Sequence, residues 1–77
     1  MNAAQLIKMA NQIGAFFEAM PDAEQAAAGV AEHMQKFWEP RMLRALAAHV
    51  AAQGDEALAP IVRRALARIR GTTVTGS

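Results

Sequence analysis

The apolar positions of this chain recur at steps of three and four residues, the spacing of one face of an α-helix. Over about residues 3–20 and again over about 23–38, the pattern continues long enough to predict two amphipathic helices. The apolar positions of the two stretches are Leu6, Met9, Ile13, Phe16, Phe17, Met20, Ala26, Ala27, Val30, Met34, Phe37 and Trp38.

Residues that favour turns separate these stretches and predict a third helix. Pro21 interrupts the first pattern, and Asp22 is a suitable N-cap for the second helix. Pro40 disfavours helical geometry at the residue before it, so the second helix is expected to end there. Since proline is well tolerated at the first position of a helix, Pro40 can open a third helix over about 40–52.

Glycine and proline also delimit a fourth helix. Gly54 is expected to end the third helix in a left-handed conformation, and Pro60 to begin a fourth over about 60–70. Gly71 is the predicted stop. The remainder, 72–77, has no apolar periodicity and is predicted to be a flexible tail.

Length and composition predict an all-α fold: a small bundle of three to four short helices forming a single domain over residues 1–71. The chain contains no cysteine, which excludes disulfides, cysteine-ligated zinc and ordinary iron–sulfur ligation. No apolar run approaches the roughly 20 residues of a membrane span. The N-terminal stretch lacks the layout of a signal peptide, so we expect a cytoplasmic protein.

Side chains that commonly carry out catalysis are sparse. The chain has no cysteine or tyrosine, and its only serine is Ser77, so a positioned nucleophile with its base is not expected. His33 and His49 lie on different predicted helices without a motif that would supply further metal ligands. There is no glycine-rich phosphate loop. We therefore predict that the chain is not an enzyme by itself and has no catalytic, cofactor or metal site.

Arginines concentrate in the last predicted helix, at Arg63, Arg64, Arg68 and Arg70. Arginine contacts phosphates and base edges in nucleic-acid complexes, so a free-standing helical adaptor or nucleic-acid-binding module is the alternative reading. A formal net charge of only +1 argues against nucleic acid. A solvated helix face explains the same arginines.

Two adjacent aromatic pairs, Phe16-Phe17 and Phe37-Trp38, fall near the ends of the first two predicted helices. Neighbouring residues on a helix diverge by about 100°, so each pair covers more than one face. In one interpretation one member fills the core and the other covers its flank. In the other, the outward member anchors a partner protein, because aromatic residues dominate interface hot spots.

Several short runs resemble the delta subunit of soluble, molybdenum-containing, NAD-dependent formate dehydrogenases. The most specific are K-M-A-N-Q-I at residues 8–13 and H-x-x-K-F-W-x-P-R-M at residues 33–42. The resemblance extends over about residues 5–66. It implies a non-catalytic accessory subunit that docks on the large alpha subunit and supports that subunit's stability, assembly or cofactor insertion.

In that family the alpha subunit carries the molybdenum–pterin cofactor and iron–sulfur clusters, whereas beta and gamma subunits carry FMN and further clusters towards NAD. The resemblance implies that this chain binds none of these groups. It leaves open whether the chain is a permanent subunit or a transient assembly factor, and whether the isolated chain self-associates. The matching residues that we take as a candidate interface are Asn11, Gln12, Phe16, Phe17, His33, Phe37, Trp38, Pro40 and Arg41.

Overall fold

The computed structural model describes the backbone of residues 2–76 and the side chains of residues 2–69. It contains four helices, which are α1 (Ala3–Phe17), α2 (Ala23–Phe37), α3 (Pro40–Gln53) and α4 (Pro60–Gly76). The described residues form no strand. The prediction of a small all-α bundle is confirmed.

Side-chain caps explain where the first two helices begin. Asn2 accepts a hydrogen bond from the Gln5 backbone N–H at 2.8 Å and so caps α1. Asp22 accepts from the N–H groups of Glu24 and Gln25, at 2.8 and 3.3 Å. The expected role of Asp22 as the N-cap of α2 is thereby confirmed.

The junctions on either side of α3 follow from proline and glycine. Trp38 and Glu39 are extended, and Pro40 is the first residue of α3, as its missing N–H favours. Glu39 makes no side-chain cap, so proline alone determines the start. At the other end Gly54 has a φ of 89°, a conformation that glycine adopts without strain. The predicted stop at Gly54 is confirmed.

Two helix ends differ from the prediction. The first helix ends at Phe17 rather than near residue 20, because the chain forms a tight turn before Pro21, with the Met20 N–H donating to the Phe17 carbonyl at 3.0 Å. The fourth helix continues past Gly71 to Gly76. An interior glycine costs a helix only about 1 kcal/mol, so without a proline beyond it Gly71 does not enforce an end. The predicted flexibility of 72–77 falls where no side chain is described and stays a prediction.

The core lies where α2 and α4 pack together with α1. It contains few large side chains and many alanines, which allow the helix axes to approach closely. At Gly14 α1 lies close against α4, since a Cβ there would lie 2.8 Å from Cγ2 of Val62. The largest of the fully enclosed side chains are Leu6, Val30, Met34, Leu46 and Val62.

Helix α3 is peripheral. Its main neighbour is α1, and Leu46 is its one buried residue. The first turn of α3 lies beside the C-terminal half of α2, and this placement opens a groove between α1, α2 and α3.

Candidate docking groove

An apolar groove of about 600 Å³ opens between α1, α2 and the first turns of α3. We call it the aromatic groove, because five of its nine lining residues carry a ring. It is lined by Met9, Gln12, Ile13, Phe16, Phe17, His33, Phe37, Trp38 and Met42.

Four rings form a continuous series across the groove. Phe16 and Phe17 meet edge to face, with centroids 5.3 Å apart and planes at 88°. The Phe17 ring lies 6.3 Å from the His33 imidazole, and that imidazole lies 4.8 Å from the Phe37 ring. These distances fall in the range of favourable ring pairs, so the series connects the C-terminal end of α1 with that of α2.

The two aromatic pairs each divide between interior and surface. Phe16 is 76% exposed and Phe37 is 71% exposed, whereas Trp38 is only 6% exposed and Phe17 is half-buried. The expectation that one member of each pair turns into the protein is confirmed. The outward members, Phe16 and Phe37, are the two most exposed large apolar side chains among the described residues.

Gly29 allows the Phe17 ring to lie against α2. A Cβ at Gly29 would be 2.6 Å from Cε1 and 2.7 Å from Cδ1 of Phe17, closer than real Cβ atoms come. Any side chain at this position would therefore displace the ring and change the floor of the groove. Sequence reasoning did not assign Gly29 to the site, although a glycine inside a helix, at a cost of about 1 kcal/mol, often has a packing reason.

No aspartate, glutamate, lysine or arginine lines the aromatic groove, and two ion pairs within the chain lie beside it. Lys36 Nζ lies 2.9 Å from Glu32, one turn away on α2. Its hydrogen bond, followed by its positive charge, lowers the pKa of the Glu32 carboxyl below the ordinary 4.5. Arg41 is bonded to Glu39 at 3.1 Å. The groove therefore presents a surface without carboxylate, ammonium or guanidinium groups.

The structure separates the predicted site residues into two sets. Six of them line the aromatic groove: Gln12, Phe16, Phe17, His33, Phe37 and Trp38. Pro40 and Arg41 are exposed at the start of α3, outside the lining. Asn11 also lies outside it. Met9, Ile13 and Met42 also line the groove but were not among the predicted site residues.

Asn11 connects α1 to the segment that precedes α4. Its Nδ2 donates to the Ala57 carbonyl at 3.0 Å, and its Oδ1 accepts from the Ala59 N–H at 2.9 Å. Both ends of the amide are thus used within the chain, across more than forty residues of sequence. This pairing gives Asn11 a structural role that does not require a partner protein.

The arginines of α4 also have partners within the chain. Arg64 and Arg68 each lie 3.6 Å from Glu24 on α2. Arg63 Nε donates to the backbone carbonyls of Asp55 and Leu58, at 3.0 and 3.1 Å. The side chain of Arg70 is outside the described residues. These pairs explain the basic residues of α4 as bundle contacts, so nothing in their geometry favours the nucleic-acid alternative.

The described residues form neither a metal-binding cluster nor a helix that could span a membrane. Among the described side chains, no three histidines or carboxylates come together in a way that could hold a metal ion. None of the helices, over the same part of the chain, is both long and apolar enough to cross a membrane. The fold and groove together define a small helical protein with an apolar, largely aromatic groove on its surface.

Comparison with known families identifies the class more closely. The family model for the NADH-dependent formate dehydrogenase delta subunit, FdsD, matches residues 5–66, and the chain belongs to this family. Every residue of the aromatic groove lies within the matched segment. No curated protein and no solved structure matches the chain. The family assignment confirms the resemblance found in the sequence.

Proposed function

We propose that this chain is a non-catalytic accessory subunit that docks through its aromatic groove on the large catalytic subunit of an NAD-dependent formate dehydrogenase. Docking would support the stability, assembly or cofactor insertion of that molybdenum- and iron–sulfur-containing subunit. The observation that carries the proposal is the aromatic groove in a chain whose family is a subunit of a formate dehydrogenase.

The exposure of the rings supports a docking role. Burial of a large apolar side chain contributes roughly 1.5–3 kcal/mol, which a side chain left in water does not gain. Phe16 and Phe37 are two such side chains, and both line the aromatic groove. Contiguous exposed apolar surface of this kind marks interaction sites. Aromatic side chains in well-packed pockets also supply much of the binding energy at protein interfaces.

Under this proposal formate oxidation takes place in other subunits. The large alpha subunit would hold the molybdenum–pterin group and iron–sulfur clusters, and the beta and gamma subunits would hold FMN and the route to NAD. This chain contributes surface and not redox groups. Its own residues act by contact: rings that fill space on the partner, and the helices that hold those rings in place.

The choice of test residues follows from burial. Trp38 is enclosed, so its removal would affect folding and docking together. Phe16 and Phe37 are mostly exposed, so replacing them leaves the core intact. Met20 is the appropriate control, because it is a large apolar residue, 38% exposed, that does not line the groove.

The experiment is co-expression of the tagged chain with the large subunit, followed by affinity purification. For Phe16→Ala/Phe37→Ala we expect at least a roughly 30-fold loss of affinity, the equivalent of about 2 kcal/mol for a hot spot. Met20→Ala should retain wild-type recovery. Equal recovery of the large subunit with both variants would contradict docking through the groove.

Two further measurements separate the forms that the accessory role can take. A fixed stoichiometry of this chain in the mature enzyme indicates a permanent subunit, and its absence there indicates a transient assembly factor. Molybdenum content of the large subunit, measured with and without this chain, reports cofactor insertion directly. If the large subunit without this chain keeps its molybdenum content but unfolds at a lower thermal midpoint, the chain acts by stabilising the large subunit.

A further inference from the structure

The length, polar groups and charge of the aromatic groove indicate what kind of segment can bind there. We propose that its occupant is an amphipathic helix of the large subunit, which inserts an uncharged apolar face along α1. This inference rests on the docking function proposed above and adds the secondary structure and charge of the docked segment.

The length of the groove suits a short helical segment. Its α1 wall runs from Met9 to Phe17, which is about two helical turns or roughly 12 Å. Helices that dock in grooves use anchors at positions i, i+3 or i+4, and i+7, over the same distance. Met9 on α1 and Met42 on α3 both line the groove and can adapt their side chains to such anchors.

The polar groups of the groove decide between a helix and an extended segment. Gln12, His33 and the Trp38 indole are its hydrogen-bonding side chains, and the described backbone around it is helical apart from the extended link at Trp38 and Glu39, which forms no strand. An extended segment would lay its N–H and C=O groups against this apolar surface, at about 1–3 kcal/mol for each group left unpaired. A helix pairs these groups internally, so it can enter the groove at much lower cost.

The charges decide the character of the inserted face. The lining contains no carboxylate, ammonium or guanidinium group, and the neighbouring carboxylates of Glu32 and Glu39 are already paired with Lys36 and Arg41. A charge entering the groove would lose its hydration and find no counter-charge. The inserted face is therefore uncharged, and its binding depends little on ionic strength.

Photo-crosslinking tests the shape of the occupant. Because the chain has no cysteine, Gln12→Cys and Phe37→Cys each provide a single attachment point for a benzophenone maleimide, one on each side of the groove. Ala51→Cys, exposed on α3 outside the groove, is the control. Each labelled full-length chain is assembled with the large subunit, irradiated, and the crosslinked residues are mapped by mass spectrometry.

We expect both groove labels to attach to a single segment of the large subunit, at residues spaced by three, four or seven, whereas the control label does not reach that segment. Attachment at every second residue would indicate an extended occupant and overturn this inference while leaving docking intact. Crosslinks only to a second copy of this chain, or none from a groove label whose own labelled chain still co-purifies with the large subunit, would overturn both proposals.

Salt provides the matching test of charge. Between about 0.1 M and about 1 M NaCl the Debye length falls from about 10 Å to about 3 Å, and we expect recovery of the large subunit to change by less than about twofold. A recovery that falls tenfold or more over this range would show that charged groups carry the contact. That result would overturn the uncharged face but not the docking.

Discussion

Two apolar regions of this protein share the same helices but differ in what they contain. The core is built from alanine and medium-sized aliphatic residues, with Met34 and Val62 fully enclosed. The aromatic groove holds all three phenylalanines, and Phe16 and Phe37 are mostly exposed. Small side chains bring the helices together, whereas the largest rings, apart from Trp38, lie where the helices leave a gap. High apolar content in a short chain therefore does not mean a large core.

Met34 and Phe37 provide the sharpest test of this comparison, because they lie one turn apart on α2 with opposite burial. Met34→Ala should lower the free energy of unfolding by about 2–5 kcal/mol, since it leaves a cavity in the core. Phe37→Ala should change it by less than about 1 kcal/mol yet weaken recovery of the large subunit. Chemical denaturation of both chains measures the first effect. Similar destabilisation by the two variants would remove the distinction between the regions.

Gly14 and Gly29 test how easily the side chains next to them can move, Gly14 in the core and Gly29 beside the aromatic groove. Gly14→Ala would press on Val62 and Ile61, at 2.8 and 2.9 Å, inside the core. We expect it to cost about 1–3 kcal/mol, as overpacking does, partly offset by the better helix propensity of alanine. Thermal unfolding checks this value. An unchanged or higher midpoint would show that α1 and α4 can separate freely.

Gly29→Ala introduces the same methyl group on the groove side. The Phe17 ring that it meets is half-buried and can swing outward, so the loss of stability should be smaller than at Gly14. The displaced ring should instead reduce binding to the large subunit. Binding measurements on Gly14→Ala and Gly29→Ala in parallel test whether the added methyl group weakens binding more at Gly29 than at Gly14. If Gly29→Ala binds as wild type does, the position of Phe17 is not part of the docking surface.

Asn11 and Gln12 are neighbours on α1, but only Gln12 lines the aromatic groove, whereas Asn11 bonds to the segment before α4. Asn11→Ala removes both hydrogen bonds to the segment before α4, so unfolding should become easier by about 1–3 kcal/mol. Gln12→Ala should stay within about 0.5 kcal/mol of wild type, as expected at an exposed position. Denaturation curves for the two chains give the comparison. Equal stability of both would mean that the Asn11 amide contributes nothing to holding the segment.

The Glu32–Lys36 pair lies outside both regions and should have the smallest effect. Lys36 lowers the pKa of Glu32, so the pair stabilises the folded chain above the ordinary carboxyl pKa, and this contribution is lost as the pH falls through the lowered value. Lys36→Gln should therefore lower the thermal midpoint slightly at neutral pH and have no effect in strong acid. A difference that persists in acid would point to a cause other than the ion pair.

Local signals in the sequence predict most of the fold. Asp22, Pro40, Gly54 and Pro60 each act through backbone chemistry that needs no knowledge of the rest of the chain, and the structure places a helix boundary at every one. Gly71 is the exception, because the cost of one glycine in a helix is too small to decide an end.

The candidate site could be predicted only in part. Adjacent aromatic pairs indicate that one ring of each must face outward, but not that His33 and Phe17 join them into one groove. The Phe17 ring can lie against α2 only because the residue that faces it, Gly29, has no Cβ. The sequence alone does not show that these two residues face each other. Asn11 was predicted to lie in the interface, but it lies outside the groove and bonds within the chain. Its polarity suggested a surface for a partner, whereas its two hydrogen bonds run to a segment far away in the sequence.

Oxidative footprinting of the wild-type chain, free and in the assembled formate dehydrogenase, tests the central proposal most directly. Hydroxyl radicals modify exposed phenylalanine and methionine side chains, so no substitution is needed. The proposal predicts that Phe16 and Phe37 become strongly protected in the complex, while Met20, outside the groove, stays about as reactive as before. Continued modification of Phe16 and Phe37 in the assembled enzyme would show that the aromatic groove is not where the subunit docks.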